Sequence, residues 1–379
     1  MAHPASPSTQ LITPITWLRL LGSWSIVVLF MIFGGQWLGD SLNGTTAAVV
    51  FLVLFVTILA ASFGVVREAD HLAHQLGEPY GTLILTLSIV LIEVILIASV
   101  LLGPGDFPTI GRDSIYAVMM IILNLITGLC LIAGAARNGD QEFNRQGTNT
   151  YLSMIVLLTS VGLILPNYTS NAGEFSTTQA IGISVLTGLV YAIFLYLQMG
   201  SHRHDYVQPD QAIQSTDDTT PTPRDPQATR AMLIRSLVLI ALILPIVLLA
   251  HDLAIVTDYG IAASGAPVAV GGVLIAIIVF TPEAITAIKA AMNNEMQRAI
   301  NLCLGAFVST VGLTVPVVLM IGLITGKQVI MGISNTEIVL FLITALLSIL
   351  SFSGKRTSPI QGYMHLMVFA VFGLLLFYP

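Results

Sequence analysis

The chain has 379 residues, of which 55% are hydrophobic and only 9% are charged, and its formal net charge at pH 7 is −6. A soluble domain carries roughly 25% charged residues, so this composition predicts a protein whose outer surface faces lipid. The acidic balance leaves no basic footprint for nucleic acid. The two cysteines both lie inside apolar runs, which excludes a disulfide framework.

Eleven apolar segments can each cross a membrane, which takes about 20 apolar residues in a helix. The fold class is therefore predicted to be an all-α integral membrane protein with about eleven transmembrane helices. The eighth segment contains Pro282, which predicts a kink or a break. The segments lie near residues 15–34, 45–64, 81–102, 114–136, 150–166, 178–199, 231–250, 264–290, 300–322, 335–353 and 360–378.

The basic residues between the segments are distributed unevenly. With the N-terminus in the cytoplasm, all 14 Lys and Arg residues except Arg112 and Lys327 fall on the cytoplasmic side. Cytoplasmic loops of membrane proteins carry an excess of Lys and Arg. The sequence therefore predicts a cytoplasmic N-terminus and a C-terminus outside.

A polar segment divides the chain at residues 200–230. It includes SHRHDYVQPDQAIQSTDDTTPTPRDP, a Pro-rich and acidic sequence that buries too little apolar area to fold alone. We interpret it as an acidic cytoplasmic linker. The chain then consists of a tail and leading span in 1–40, a first five-span repeat in 41–199, the linker in 200–230, and a second five-span repeat in 231–379.

The two five-span blocks resemble each other around one glutamate each. GEPYGTLILTLSIVLIEVILIA starts at Gly77, and GAPVAVGGVLIAIIVFTPEAITAIKAA starts at Gly265. Each opens with Gly-x-Pro and runs through an apolar stretch to Glu93 or Glu283. Because four spans and a linker lie between the two glutamate spans, they cross the membrane in opposite directions. Such inverted repeats, with an ion site at their interface, are typical of secondary transporters.

The next span of each block carries a polar residue at a matching place. DSIYAVMMIILNLITG in the first block parallels RAINLCLGAFVSTVGL in the second, which pairs Asn124 with Ser309. These two side chains can coordinate an ion or hydrogen-bond to a neighbouring helix, and the sequence leaves both readings open.

The two intramembrane glutamates are the main candidate site. A charge at the bilayer centre costs roughly 2.5–3.5 kcal/mol on insertion scales, so each glutamate indicates a structural or functional role. A single one can be a protonated structural glutamate, but two at matching repeat positions indicate function. Pro282 frees a backbone carbonyl one turn earlier, and oxygen ligands suit hard cations. We predict a shared cation and proton site at Glu93 and Glu283, with Asn124 and Ser309 as further ligands.

Other polar residues have simpler interpretations. Glu337 begins the tenth span, where a helix N-terminus stabilises an anion. His71 and His74 lie in an amphipathic cytoplasmic stretch that is typical of a solvated interfacial helix, although a pH-sensing role is an alternative. His365, inside the eleventh span, is expected to hydrogen-bond across helices.

The sequence lacks complete motifs of the enzyme classes compared. Gly103-Pro104-Gly105-Asp106 matches the GxGD pattern of intramembrane aspartyl proteases, but their second motif, Tyr-Asp, does not occur in the chain. HExxH and the phosphate-binding P-loop are also absent. We therefore predict a protein that is not an enzyme and uses no cofactor.

Several long stretches resemble a known family. GEPYGTLILTLSIVLIEV, PEAITAIKAAMNNEMQRAINLCLGAFVSTVGLTVPVVL and SFSGKRT…MHLMVFA are similar to the calcium/cation antiporter superfamily, specifically its bacterial ChaA-type cation/proton antiporters. The resemblance covers nearly the whole chain, including the acidic linker. It implies that the ion is carried by Glu93 and Glu283, and less directly by Asn124 and Ser309.

The resemblance implies a multi-pass protein of the inner membrane that exchanges Ca²⁺, Na⁺ or K⁺ for protons by alternating access. Its partners would be inorganic cations, protons and the lipid bilayer, with the oligomeric state left open. Calcium/proton exchangers carry Gly-Asn shortly before each glutamate, whereas this chain has Val90-Leu91-Ile92 and Phe280-Thr281-Pro282. The transported cation therefore stays open. The alternative function is a channel or uniporter without obligatory proton exchange.

Overall fold

The computed structural model describes residues 12–39, 42–76, 80–103, 107–169, 173–209 and 226–378. Long helices fill most of these ranges, and their order matches the eleven predicted spans. They are α1 (Pro14–Trp37), α2 (Gly44–Leu76), α3 (Tyr80–Leu101), α4 (Ile110–Asn138), α5 (Arg145–Tyr168), α6 (Thr177–Met199), α7 (Pro226–Ser264), α8 (Ala269–Met292), α9 (Met296–Thr325), α10 (Asn335–Ser351) and α11 (Pro359–Phe377).

The helices have the lengths and surfaces of membrane spans. Within the described residues, nine are long and apolar enough to cross a membrane, and the apolar stretches Thr86–Leu101 of α3 and Asn335–Ser351 are shorter. Large apolar side chains such as Met31, Ile324 and Met367 are exposed on the outside of the bundle. Exposed apolar surface of this extent marks contact with lipid or a partner. The predicted all-α membrane fold is confirmed.

Charge pairing explains why α2 is longer than its predicted apolar segment. The apolar run ends near residue 64, but the helix continues to Leu76. In the added turns Glu68 is buried and pairs with Arg235 of α7 at 2.9 Å. Asp70 pairs with Arg298 of α9 at 3.2 Å. These pairings let the charged turns pack against neighbouring helices.

The boundary between α7 and α8 also differs from the prediction. Gly265 has a positive φ of 65°, and the Ala266 N–H donates to the Ile261 carbonyl at 3.3 Å, which closes the C-terminus of α7. α8 then begins at Ala269 and passes through Pro282 without interruption. Of the predicted kink or break at Pro282, the break is therefore wrong, and the kink stays a prediction. Proline removes one helical hydrogen bond, which a membrane helix tolerates when its surroundings compensate.

Helix contacts repeat between the two five-helix blocks, α2–α6 and α7–α11. α3 packs against α9 as α8 packs against α4, and α6 packs against α9 as α11 packs against α4. α2 and α7 pack against each other along much of their length. This exchange of partners is what two inverted repeats produce, because each block supplies the same surface to the other.

Loop contacts define two ends of the bundle. At the first end, Gln141 donates to the Ala291 carbonyl at 2.7 Å, and Arg356 donates to Glu142 at 2.6 Å. The connections α4–α5, α8–α9 and α10–α11 therefore meet there. We call this the basic end, because its loops and adjoining helix ends hold most of the described basic residues: Arg137, Arg145, Arg203, Lys289, Arg298, Lys355 and Arg356.

At the opposite end an extended segment, residues 326–334, crosses the helix ends. The Met331 N–H donates to the Gly173 carbonyl at 2.9 Å, and the Ile330 N–H donates to the Pro108 carbonyl at 2.9 Å. The segment thereby joins the connection between α3 and α4 to the one between α5 and α6. Arg112 and Lys327, the two basic residues predicted outside, both lie at this opposite end.

Part of the predicted linker packs against the basic end. Residues 203–206 form a short 3-10 helix, and the Tyr206 carbonyl accepts from the Asn301 amide at 2.7 Å. The Tyr206 ring lies 5.1 Å from the ring of Tyr151, and burial raises the pKa of Tyr206 to about 12. The polar composition of the linker gives no sign that the Tyr206 ring packs against the helices. Residues 210–225, the Gly-x-Pro at 77–79 and residues 104–106 of the GxGD match lie outside the described residues.

Two glycines bring α4 and α11 into backbone contact. A Cβ on Gly362 would lie 2.7 Å from the Gly128 carbonyl oxygen, and a Cβ on Gly128 would lie 2.8 Å from the Gly362 carbonyl oxygen. Small residues at such crossings allow the close packing on which membrane helix association depends.

We expect Gly362→Leu to lower the melting temperature of the purified protein in detergent, because the new side chain must push α4 and α11 apart. Overpacking of this kind costs about 1–3 kcal/mol. Gly373→Leu is the matched control on the same helix, since a Cβ there has no neighbour within 4 Å. Equal melting temperatures for the two variants would contradict this view of the crossing.

Candidate ion-binding site

Glu93 lies at the middle of α3 and is completely buried, with 0% of its surface exposed. One carboxylate oxygen accepts a hydrogen bond from the hydroxyl of Thr310, on α9, at 2.7 Å. The other oxygen, Oε1, has no hydrogen-bond partner within the described part of the chain. The first block's glutamate thus contacts the second block directly.

Glu283 occupies the matching helix of the second block and is 3% exposed. Neither of its carboxylate oxygens has a hydrogen-bond partner in the ranges that the structure describes. Glu283 and Glu93 are near enough for their charges to interact, so a shared site stays a prediction. Pro282, immediately before Glu283, lacks the N–H that would bond to the Ile278 carbonyl, so a further oxygen is available on α8.

Three of the four carboxylate oxygens therefore have no hydrogen-bond partner among the described residues, although both side chains are buried. An unpaired charge away from water is very costly, so such a site must bind protons or a cation. Oxygen donors of this kind suit hard cations. No cluster of three or more His, Cys, Asp or Glu able to hold a metal occurs in the described ranges. Among the described residues, neutral oxygens are therefore the candidates to complete the coordination of a bound cation.

Two threonines on α9 are candidates for those neutral oxygens. Thr310 already donates to Glu93, and Thr314 lies one helical turn further on the same face. The Thr314 hydroxyl is buried and has no partner among the described residues. Sequence reasoning missed both. The signal that could have found them is their position one and five residues after Ser309, on a span whose other residues are almost all apolar.

Asn124 is fully buried on α4, but its amide group is already occupied. Its Nδ2 donates to the Thr344 hydroxyl of α10 at 2.9 Å, and its Oδ1 lies 3.2 Å from Nδ1 of His365 on α11. Nε2 of His365 lies 3.2 Å from the Ser351 hydroxyl. The structure thus places Asn124 in a network that joins three helices. The expected cross-helix hydrogen bond of His365 is present.

Ser309 makes the corresponding contact in the other block. Its hydroxyl donates to the Gly305 carbonyl at 2.9 Å and accepts from the Tyr191 hydroxyl of α6 at 2.9 Å. Asn124 and Ser309 therefore each tie the third helix of one block to the last helix of the other. Neither is hydrogen-bonded to a glutamate of the site, so their role as ion ligands stays a prediction.

The helices that carry these residues have widened turns. A π-helical turn spans Ile121–Ile126 in α4 and includes Asn124. Another spans Asn301–Gly305 in α9, one turn before Ser309. π-Helical turns occur frequently at functional sites. Their position on the two helices that flank the glutamates agrees with the location of the candidate site.

The remaining candidates lie away from the glutamates. Glu337 forms a reciprocal capping box with Ser334 at the start of α10, as its position predicted. His71 is half-buried on α2 near Glu68 and Arg235, and the side chain of His74 lies outside the described residues. Nothing in the described contacts connects His71 to the glutamate pair.

Comparison with known proteins gives consistent matches over almost the whole chain. Residues 46–200 and 231–378 match the family described as sodium/calcium exchanger protein, with the gap at the predicted linker. The sodium-potassium/proton antiporter ChaA of Escherichia coli is 34% identical over 354 residues, which is 93% of this chain and 94% of that protein.

Solved structures show the same fold. The structure of YfkE superposes with a TM-score of 0.71 at 18% identity, over 96% of this chain and 100% of that one. The crystal structure of the H⁺/Ca²⁺ exchanger CAX gives a TM-score of 0.68 at 13% identity, over 95% of this chain and 89% of that one.

Proposed function

The chain belongs to the sodium/calcium exchanger protein family, and on that premise we propose that it is a secondary active transporter that exchanges inorganic cations for protons by alternating access. The observation that carries the proposal is the pair of buried glutamates, Glu93 and Glu283, since three of their four carboxylate oxygens have no partner in the part of the chain that the structure describes. A relative that matches over nearly its full length is named a sodium-potassium/proton antiporter. We therefore propose Na⁺, K⁺ or Ca²⁺ as the cation, with transport rather than catalysis as the activity.

Competition for the proposed shared site would couple the two ions. Two carboxylates that are buried and empty cannot both remain charged without a large cost, so the site holds either protons or a cation. A cation that enters supplies the opposite charge and releases the protons. The protein switches the side from which the site is accessible when the site holds either protons or a cation. It switches poorly when the site is empty and charged. Exchange follows from these conditions, with the two blocks moving relative to each other.

We propose that the protein lies in the inner membrane with the basic end in the cytoplasm. The uneven distribution of Lys and Arg supports this orientation. The contacts that gather the basic loops at one end, such as Arg356 with Glu142, support the same assignment. The acidic linker would then lie in the cytoplasm and join the two five-helix blocks.

The exchange activity is tested in everted vesicles by a dye that reports the proton gradient. In vesicles with the protein, we expect at least one of Na⁺, K⁺ and Ca²⁺ to dissipate a preformed proton gradient. In vesicles without the protein, none of the three should do so. Cation flux without any proton movement would instead indicate a uniporter and would contradict the proposal.

The orientation gives a separate prediction. A single cysteine appended after Pro379 should react with an impermeant thiol reagent in intact cells, and a single cysteine at Ser215 should not. Both would be introduced into a background without Cys130 and Cys303, the two native cysteines. Permeabilised cells, in which both positions should react, serve as the control. Labelling at Ser215 alone in intact cells would overturn the orientation.

A further inference from the structure

A narrow cleft opens at the end of the bundle opposite the basic end. It lies between α2, α3, α7 and α8, and its mouth is bordered by Phe107 and Ile110 at the start of α4 and by Val268 before α8. Most of its lining is apolar. Thr257 and Asp258 of α7 are the polar side chains among its lining residues.

The cleft descends towards the glutamate pair. Its lining includes Leu96 of α3, one turn beyond Glu93, and Ile278 of α8, which precedes Glu283. At 1.5 Å per residue these positions are about 4.5 Å and 7.5 Å along their helices from the glutamates. Because α3 and α8 run in opposite directions, both offsets point towards the same opening. A short apolar layer therefore separates the cleft from the ion site.

Asp258 is the charged residue of this lining. It is half-buried, and within the described residues it has no hydrogen bond and no ion pair. Arg235 on the same helix, paired at the basic end, lies roughly 34 Å away along the helix axis. That distance is close to the thickness of the hydrocarbon layer, about 30 Å. Asp258 therefore stands at the far membrane boundary, in the mouth of the cleft.

We propose that Asp258 attracts inorganic cations into the cleft from the outer solution and is not itself part of the transport site. Acidic residues within membrane helices face interior cavities and mark ion pathways. A negative charge in a cleft with apolar walls raises the local concentration of cations. The proposal deepens the proposed function and rests on it. It assigns an entrance residue for one face of the membrane only.

The test compares Asp258→Asn with the wild type on both faces of the membrane. In right-side-out vesicles we expect the apparent KM for a monovalent cation to rise about two- to fivefold at low ionic strength. This is the effect of removing one unit charge about 8 Å from the cation. The maximal rate should not change. In everted vesicles, where the cytoplasmic face is exposed to the medium, the KM of the same variant should equal that of the wild type.

Two features separate attraction of ions from a change in structure. Since Coulomb energy is proportional to charge, the logarithm of the KM change should be about twice as large for a transported divalent cation as for a monovalent one. The change should also fade at high salt, where the Debye length falls to about 3 Å. Asp252→Asn is the matched control, because Asp252 is half-buried on the same helix but does not line the cleft.

The outcomes distinguish this inference from the proposed function. If wild-type vesicles exchange cations and Asp258→Asn changes KM on neither face, on both faces equally, or on the cytoplasmic face alone, the entrance role is wrong while the antiporter function stands. An equal effect of Asp252→Asn would also overturn it. Absence of exchange in wild-type vesicles would overturn both.

Discussion

Glu93→Gln and Glu283→Gln are each expected to reduce cation/proton exchange to the background of vesicles without the protein. Glutamine keeps the size of the side chain but cannot exchange a proton at neutral pH. Both carboxyl groups are buried, and in the proposed shared site the loss of either one removes the competition between proton and cation. Exchange is measured with the gradient-sensitive dye, and membrane insertion is verified by the amount of folded protein after detergent extraction.

Glu337→Gln provides the matched control for these variants. It makes the same chemical change at a glutamate that caps α10 through Ser334, and glutamine fulfils the same role in a capping box. We therefore expect near wild-type exchange from it. If Glu93→Gln or Glu283→Gln exchanged ions at a rate close to that of the wild type, the two-carboxylate site would be wrong.

The second large effect concerns pH. Over the range in which protons occupy the glutamates, raising the pH should lower the apparent KM for the cation about tenfold per pH unit for each proton that one cation displaces. The sign follows from competition, because fewer protons then hold the site. The KM is measured at constant ionic strength and without a pre-existing gradient. A KM that does not depend on pH would show that proton and cation bind at separate places.

The sequence predicts the elements of the fold well because apolar length decides them. Each predicted span corresponds to a helix, and most boundaries agree within a few residues. The errors occur where polar residues extend a helix, as in α2, whose Glu68 and Asp70 have partners on α7 and α9. Sequence reasoning cannot identify those partners, since they lie far along the chain.

The candidate site is predictable in part for the same reason. Two glutamates in apolar spans are visible in the sequence, and the repeat brings them together. Thr310 is not visible, because its importance depends on the packing of α9 against Glu93. The sequence identifies Asn124 as a polar residue inside a span, but only the structure shows that His365 and Thr344 occupy its amide group. Contacts between distant helices decide such roles.

The central claim is that cation and protons compete for Glu93 and Glu283, and proton release on binding tests it most directly. Purified protein in a weakly buffered detergent solution is titrated with the cation that supports exchange, while a pH electrode or indicator records released protons. We predict release by the wild type at a pH where the site is protonated, and none by the variant with both glutamates changed to glutamine. Cation binding without proton release by the wild type, or equal release by the double variant, would contradict the account.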